Sequence, residues 1–188
     1  MEPPDHVAAV ILAAGESRRF GSPKQLALLR GQPLLQHVTA AARDAGLTPI
    51  IAVVPPSLQI DTADVMCVPN ANPELGMSHS LRLGFAAIPS TVKAVAILLG
   101  DQPTIDAELI HCLIAARGST PFVTAHAGGL VMPPVVVERS HFDAVQRPSG
   151  DMGLREILRA HADLVTPVDV EWPADVDTMA DLQAIGGG

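Results

Sequence analysis

A loop near the amino terminus combines glycines, a hydroxyl group and cationic side chains in a spacing that suits a polyanionic ligand. Gly15 and Gly21 enclose Ser17 and Arg19, and Lys24 follows the second glycine by three positions. Glycine lets backbone N–H groups approach phosphate oxygens closely, and guanidinium and ammonium groups neutralise charge that uncharged amides cannot. The loop therefore indicates a site for a phosphorylated ligand.

Two well-known phosphate-binding loops do not account for this segment. A P-loop needs four residues between its glycines and a Lys-Ser/Thr pair directly after the second, whereas five residues separate Gly15 from Gly21 and Lys24 comes later. The dinucleotide fingerprint G-x-G-x-x-G fails as well, because Ser17 and Phe20 occupy its second and third glycine positions. A nicotinamide-dependent reductase is therefore only a remote alternative.

Carboxylates that could hold a cation occur at two later points in the chain. Asp101 follows the mostly apolar run at 92–99, and Asp175 and Asp177 precede the last predicted helix. A carboxylate at the end of a buried strand needs a compensating cation, and Mg²⁺ prefers carboxylate, water and phosphate oxygens. Each aspartate also has a simpler interpretation as a helix cap or a first-turn acid. The residues alone leave both interpretations open.

The pattern of apolar runs predicts the elements that carry these residues. Residues 7–14 are eight consecutive apolar residues, too few to cross a bilayer but sufficient for a strand buried on both faces. Such runs alternate with segments of helical periodicity, which predicts an α/β fold with a mixed, mainly parallel sheet of about seven strands. The predicted strands are 7–14, 48–54, 65–69, 92–99, 121–127, 130–132, 135–137 and 164–168, and the predicted helices are 34–45, 77–88, 106–117, 154–161 and 178–185.

An antiparallel element interrupts this alternation late in the chain. Residues 121–127, the Gly128-Gly129 turn and residues 130–132 predict a hairpin. Inserted into a parallel sheet, the hairpin would place its residues over the carboxyl ends of the strands, where open α/β sheets bind ligands.

Composition restricts the class of partner and the compartment. The chain has 188 residues and a formal net charge of −8, which disfavours nucleic acid and anionic membranes as main partners. This length predicts one domain at 1–188, with residues 1–6 and 186–188 expected to be disordered. Cys67 and Cys112 lack metal-ligand spacing, and the amino terminus has no signal-peptide pattern, so we expect a cytoplasmic protein.

The first loop fits the pattern L-A-A-G-x-S-x-R-x-G-x-x-K. Four further segments follow it in order: GMSHSL at 76–81, GDQP at 100–103, SGDMG at 149–153 and DVDT at 175–178. Together these segments resemble the MobA-like nucleotidyltransferase family, and the first loop is most similar to its molybdenum-cofactor cytidylyltransferases. The resemblance covers nearly the whole chain and implies a single nucleotidyltransferase domain with a three-layer α/β/α fold, Rossmann-like and of the GT-A type.

The resemblance implies a Mg²⁺-dependent transfer of a nucleoside monophosphate from a nucleoside triphosphate to a phosphorylated acceptor, with release of pyrophosphate. Arg19 is expected to bind the β- and γ-phosphates, Lys24 the α-phosphate, and Asp101 and Asp177 the Mg²⁺ ion. Arg19, Lys24 and Asp101 are thus the expected catalytic residues. The implied acceptor is molybdopterin with its metal, and a molybdoenzyme or its chaperone is a further candidate partner.

The same resemblance assigns the nucleotide and acceptor contacts. Ser80, near the start of a predicted helix, is expected to contact the base or ribose, with helix capping as its alternative role. CTP is favoured over GTP because the guanylyl branch usually carries glycine where Ala14 stands. Asp151 and Arg155 are expected on the acceptor side. The expected nucleotide-binding set is Leu12, Ala13, Ala14, Gly15, Ser17, Arg19, Lys24, Ser80 and Gly100.

One departure from the family pattern leaves the acceptor open. Where the family commonly has Gly-His-Pro-Val, residues 132–135 read Met-Pro-Pro-Val, so the polar chemistry of that histidine is missing. His126 and His141 are candidate substitutes. Two alternatives therefore stand beside the main interpretation: transfer to a sugar or alcohol phosphate, and a non-catalytic nucleotide- or cofactor-binding partner of a molybdoenzyme.

Overall fold

A mixed sheet of seven strands forms the centre of the molecule in the computed structural model of the chain. The structure describes residues 6–15, 20, 23–58, 64–147, 153–171 and 173–186. The first half of the chain contributes β1 (Val7–Leu12), β2 (Leu28–Leu29), β3 (Gln32–Pro33), α1 (Leu34–Asp44), β4 (Ile50–Val54), β5 (Val65–Pro69) and α2 (Met77–Ala86). The second half contributes β6 (Ala94–Leu99), α3 (Ala107–Ala115), β7 (Phe122–Ala127), β8 (Leu130–Glu138), α4 (Phe142–Gln146), α5 (Leu154–Ala160), β9 (Val165–Asp169) and α6 (Met179–Gly186).

The strand order is β5-β4-β1-β6-β8-β7-β9, which places the first strand of the chain near the middle of the sheet. β1 pairs in parallel with β4 on one side and with β6 on the other, so that Val10 lies opposite Ile51 and Ile97. β8 is antiparallel to its neighbours β6 and β7, and the remaining pairs of this sheet are parallel. The carboxyl ends of β1, β4 and β6 therefore meet at one edge of the sheet.

Helices cover both faces of the sheet, and each face has its own hydrophobic core. α1 and α3 pack on one face, where Leu35 and Leu113 are buried. α2, α4 and α5 pack on the other face through Leu81, Phe142 and Ile157. Two layers of helices around a mainly parallel seven-stranded sheet confirm the predicted three-layer α/β/α fold.

Most predicted elements are present, with ends that differ by one or two residues. The prediction of separate strands at 130–132 and 135–137 is wrong, because β8 continues through Pro133 and Pro134. Its pairing with β7 shifts register between Thr124 and Ala125, so the missing proline N–H groups fall at an irregularity in the ladder. β2, β3 and α4 are too short to show a periodicity in the sequence and were not predicted.

The two ends of the chain are only partly described. Residues 1–5 and 187–188, which belong to the ends expected to be disordered, lie outside the described residues, whereas His6 is in a turn and Gly186 is the last residue of α6. In the described part of the chain, no helix is both long and apolar enough to cross a membrane.

α2 lies close to the sheet at Gly84. A Cβ atom added to Gly84 would lie 2.5 Å from Cγ1 of Val10 and 3.2 Å from Cγ2 of Val53. Both valines are fully buried in the centre of the sheet, so neither can move aside at low cost. Glycine at this position therefore sets the distance between α2 and strands β1 and β4.

Replacing Gly84 with alanine should lower the free energy of unfolding. The overpacking costs about 1–3 kcal/mol, which should outweigh a gain in helix propensity of at most about 1 kcal/mol. Equilibrium unfolding in urea measures the change. Gly186→Ala is the matched control, because its added Cβ would lie 3.5 Å from Leu29, an ordinary contact distance. A Gly84→Ala protein as stable as the wild type would contradict the close packing of α2.

Candidate active site

A cleft of about 270 Å³ opens at the carboxyl ends of β1 and β6. Its walls come from the segment after β1, the turn that contains Lys24, the start of α2 and the end of β6. The structure brings seven of the nine expected nucleotide-binding residues to this cleft, and the other two, Ser17 and Arg19, lie outside the described residues. The lining consists of Leu12, Ala13, Ala14, Gly15, Lys24, Gln25, Pro73, Gly76, Met77, Ser80, Leu99, Gly100 and Asp101.

Close backbone packing holds the ends of β1 and β6 together. The N–H group of Gly100 donates to the carbonyl oxygen of Leu12 at 2.9 Å. A Cβ atom added to Gly100 would lie 2.7 Å from Cβ of Ala13, so a larger residue does not fit. Gly100 therefore has a packing role at the floor of the cleft, where the sequence suggested a ligand contact.

Gln25 fixes the backbone that leaves β1. Its side-chain Nε2 donates to the carbonyl oxygens of Ala13 at 2.6 Å and Gly15 at 3.0 Å, and the residue is almost completely buried. Both carbonyl oxygens bind the amide nitrogen, so the amide oxygen Oε1 points away from them. Oε1 is buried and has no hydrogen-bond partner among the described residues. The sequence analysis did not single out Gln25, although it directly follows Lys24.

Lys24 joins the two acidic segments of the chain. Its Nζ atom donates to Oδ2 of Asp101 at 2.5 Å and to Oδ1 of Asp177 at 3.2 Å. The side chains of Lys24 and Asp101 are only 15% and 23% exposed. Burial by itself would lower the pKa of Lys24, but the charges and hydrogen bonds of Asp101 and Asp177 outweigh burial and raise the pKa above its ordinary value. The side chain of Lys24 is therefore a stable ammonium ion near neutral pH.

The 175–178 segment reaches the cleft because Val176 anchors it. Val176 is fully buried in a small cluster with Leu34 and Leu182, and its N–H group donates to the carbonyl oxygen of Asp101 at 2.9 Å. The side chains on either side of this anchor, Asp175 and Asp177, consequently lie close to the end of β6. Asp177 bonds to Lys24, and Asp175 bonds to Gln102.

Helix capping does not account for Asp101 or Asp177. At the start of α6, Oγ1 of Thr178 accepts from the N–H of Asp181, while Oδ2 of Asp181 accepts from the N–H groups of Thr178 and Asp177. At the start of α3, the cap is Asp106, whose side chain accepts from the N–H of Leu109 at 2.9 Å. Both helices therefore begin at other residues, and the carboxylates of Asp101 and Asp177 bind Lys24.

Asp175 has a different environment from Asp177. Its Oδ1 accepts a hydrogen bond from Nε2 of Gln102 at 2.7 Å. Burial raises the pKa of Asp175 above its usual range and the nearby charges of Asp101 and Asp177 act in the same direction, while the hydrogen bond from Gln102 opposes them. Asp175 thus has Gln102 as its hydrogen-bond partner, whereas Asp177 bonds to Lys24.

The Ser80 hydroxyl lies in the cleft wall formed by α2. Its Oγ accepts a hydrogen bond from Nδ2 of Asn70 at 3.0 Å, and Oδ1 of Asn70 accepts from the N–H of Asn72 at 2.9 Å. The asparagine orients the serine so that the hydroxyl proton is available for a donor contact. Ser80 is not the cap of α2, because the N-cap residue is Gly76.

Of the residues expected on the acceptor side, Arg155 does not line this cleft. Arg155 lines a second cleft together with His126, whose Nδ1 is 2.5 Å from Oδ1 of Asp169, and Asp151 lies outside the described residues. His141 follows the carboxyl end of β8, where Glu138 pairs with Ala94 at the amino end of β6. His141 is thus at the opposite edge of the sheet and cannot replace the family histidine.

The donor set of the first cleft fits a divalent cation that also binds phosphate. Asp101 and Asp177 converge on one nitrogen atom of Lys24, and carboxylate oxygens are ligands that Mg²⁺ prefers. Within the described ranges, no group of three or more His, Cys, Asp and Glu side chains is placed to enclose a metal ion. Phosphate oxygens and water would therefore have to complete the coordination of such a cation.

Comparison with known proteins agrees with this geometry. The model of the MobA-like NTP transferase domain matches residues 9–165 of the chain. The bifunctional enzyme IspD/IspF of Novosphingobium aromaticivorans is 32% identical over 184 residues, 92% of this chain and 44% of that protein. The bifunctional protein GlmU of Xanthobacter autotrophicus is 32% identical over 176 residues, 81% of this chain and 39% of that protein. The chain thus spans less than half the length of either relative.

A solved structure resembles nearly the whole chain. Rv0371c from Mycobacterium tuberculosis superimposes with a TM-score of 0.82 at 27% identity, covering 97% of this chain and 98% of that protein. Its complex with manganese superimposes with a TM-score of 0.79 at 25% identity and the same coverage. With a family model that matches most of its length and a solved relative of the same fold, the chain belongs to the family of MobA-like NTP transferase domains.

Proposed function

We propose that this protein transfers a nucleoside monophosphate from a nucleoside triphosphate to a phosphorylated acceptor. The observation that carries the proposal is the contact of Lys24 with both Asp101 and Asp177 at the mouth of a cleft at the carboxyl ends of the strands. Such an arrangement supplies one cation for a phosphate group and two carboxylates for a metal ion. Both are needed when charge develops on a transferring phosphoryl group.

The reaction needs no covalent enzyme intermediate. An oxygen of the acceptor phosphate attacks the α-phosphorus, and the bond from the α-phosphorus to the oxygen that bridges to the β-phosphate breaks. Pyrophosphate leaves with that electron pair, on the side opposite the attacking oxygen. Lys24 would bind the α-phosphate, whose charge increases in the transition state, and Arg19 would bind the β- and γ-phosphates.

Asp101 and Asp177 would hold Mg²⁺, which supplies charge neutralisation between donor and acceptor phosphates when it is bound. In the structure, the ammonium group of Lys24 compensates part of the charge of these carboxylates. A bound divalent cation would take over this compensation and leave Lys24 to bind phosphate. The manganese complex of Rv0371c supports a divalent cation in this family.

We propose CTP as the donor and molybdopterin with its metal as the acceptor. Ala14 is 5% exposed and lines the cleft, so its methyl group takes space that glycine would leave to a larger base. The acceptor proposal rests on the similarity of the first loop to the molybdenum-cofactor cytidylyltransferases. A sugar or alcohol phosphate is the second candidate acceptor, because Met132 and Pro133 replace the Gly-His pair of that branch.

Lys24→Ala and Asp101→Asn should each lower the rate of pyrophosphate release by roughly 10²–10³-fold, the usual cost of removing one electrostatic group from a transition state. A coupled pyrophosphate assay with Mg²⁺ and molybdopterin acceptor measures the rate. Lys93→Ala is the matched control, because Lys93 is exposed and lies before β6, at the opposite edge of the sheet. Unchanged rates in both cleft variants, or nucleotide binding with no pyrophosphate release by the wild type, would overturn the proposal.

Asp177→Asn and Asp175→Asn should separate the two carboxylates of the 175–178 segment. Loss of the charge of Asp177 should raise the Mg²⁺ concentration for half-maximal rate by at least about tenfold. Mutation of a residue that only hydrogen-bonds to a metal ligand already lowers metal affinity by about 10–100-fold. Asp175→Asn should keep a Mg²⁺ dependence close to that of the wild type, because Asp175 bonds to Gln102. The reverse ranking would show that Asp175 holds the metal.

Nucleotide selectivity can be measured by thermal unfolding with Mg²⁺ and each of CTP, GTP, ATP and UTP. CTP at a concentration of about 100 times its dissociation constant should raise the free energy of unfolding by about 2.7 kcal/mol. This corresponds to a rise in Tm of roughly 5–10 °C. Ala14→Gly should increase the effect of GTP relative to CTP by removing the methyl group from the cleft. Stabilisation of the wild type by GTP alone would refute the preference for CTP.

A further inference from the structure

A second cleft, of about 480 Å³, lies between the β7–β8 hairpin, α5 and β9. It opens on the same face of the sheet as the first cleft, because Leu158 and Val165 on its wall pack in the core that also contains Leu81 of α2. The start of α5 packs against the start of α2, because a Cβ atom added to Gly153 would lie 3.4 Å from Sδ of Met77, a residue of the first cleft. The second cleft shares no lining residue with the first and is a separate cavity.

Two arginines of α5 line this cleft. Arg155 and Arg159 are one helical turn apart and therefore project from the same side of the helix. Neither guanidinium group has an ion pair or a hydrogen bond with any residue that the structure describes. By contrast, Arg117 binds Glu138, and Arg139 donates to the carbonyl oxygen of Val92 at 2.7 Å.

The nearby carboxylates leave the cleft cationic. Glu156 is turned back to the start of α5, where its Oε2 accepts from the N–H of Gly153 at 2.9 Å. Asp169 is bound to Nδ1 of His126, which holds the imidazole at the wall of the cleft. With two guanidinium groups and no carboxylate among its lining residues, the cleft has a positive charge in a chain whose formal net charge is −8.

The rest of the lining is apolar. Val131, Leu158, Val165 and Pro167 form the floor, and Leu130 at the hairpin turn has 51% of its surface exposed. An inorganic anion alone would leave this surface in contact with water. A ligand with an apolar or aromatic body and an anionic group would cover the floor and also bind the guanidinium pair.

We propose that this cleft binds a phosphate or carboxylate group carried on an apolar or aromatic body, through Arg155 and Arg159. The inference concerns a cleft without Lys24, Asp101 or Asp177, so it does not depend on the proposed transfer reaction. The ligand is either the far end of an acceptor that also reaches the first cleft or a separate small molecule. Both sources share the same recognition chemistry.

Isothermal titration with 1-naphthyl phosphate tests the site, with 1-naphthalenemethanol as the uncharged probe and inorganic phosphate as the probe without an apolar body. The wild type should bind 1-naphthyl phosphate at least about tenfold more tightly than it binds 1-naphthalenemethanol or inorganic phosphate. One charge-assisted hydrogen bond changes the dissociation constant by roughly this factor. Arg159→Gln should weaken binding about tenfold, and Arg155→Gln/Arg159→Gln should weaken it further. Arg147→Gln is the matched control, because Arg147 is 81% exposed and lies outside this cleft.

Lys24→Ala distinguishes the two clefts. Binding of 1-naphthyl phosphate that is lost in Lys24→Ala and kept in the double arginine variant would overturn the proposal, because the probe would then occupy the first cleft. Equal binding of the uncharged probe would overturn it as well. With an acceptor that supports pyrophosphate release, a higher KM at unchanged kcat in the double variant assigns the cleft to the acceptor, and an unchanged KM assigns it to a separate ligand.

Discussion

The contact of one ammonium group with two carboxylates holds the candidate active site together. Lys24 is 77 positions from Asp101 and 153 positions from Asp177, so the first loop, the end of β6 and the segment before α6 meet at a single nitrogen atom. Two carboxylates brought together at a partly buried sheet edge would repel each other without a cation. The hydrogen bond from Val176 to the carbonyl oxygen of Asp101 fixes the same junction through the backbone. The site therefore exists only when the central strands and the carboxyl-terminal segment are assembled.

This dependence connects the stability of the site with the chemistry proposed for it. A site that binds a metal ion and a triphosphate needs acidic and basic groups close together, and each set would be costly to keep unpaired. In this structure, the ammonium group of Lys24 is the partner of the carboxylates of Asp101 and Asp177. On the proposed function, Asp101 and Asp177 would hold the divalent cation and Lys24 would bind the α-phosphate. Each of the three side chains would then have a partner of opposite charge both before and after binding.

The sequence was sufficient for the features that local patterns determine. The apolar run of β1, the spacing from Gly15 to Lys24 and the carboxylates at Asp101 and Asp177 all lie in contiguous segments, and the structure brings these parts together. Features set by contacts between distant segments could not be predicted. Nothing near Gly100 in the chain indicates that Cβ of Ala13 would collide with a side chain there. Likewise, only the register of β7 against β8 explains why a strand continues through two prolines.

The same strand also determines the chemistry of residues 132–135. Pro133 is buried at the irregularity between β7 and β8, and its ring offers neither a hydrogen-bond donor nor an acceptor. Met132 packs with Ala125 and Ala127 in an apolar cluster, so this part of β8 contributes no polar side chain toward a ligand. The polar side chains that line the second cleft come instead from His126 of β7 and from Arg155 and Arg159 of α5.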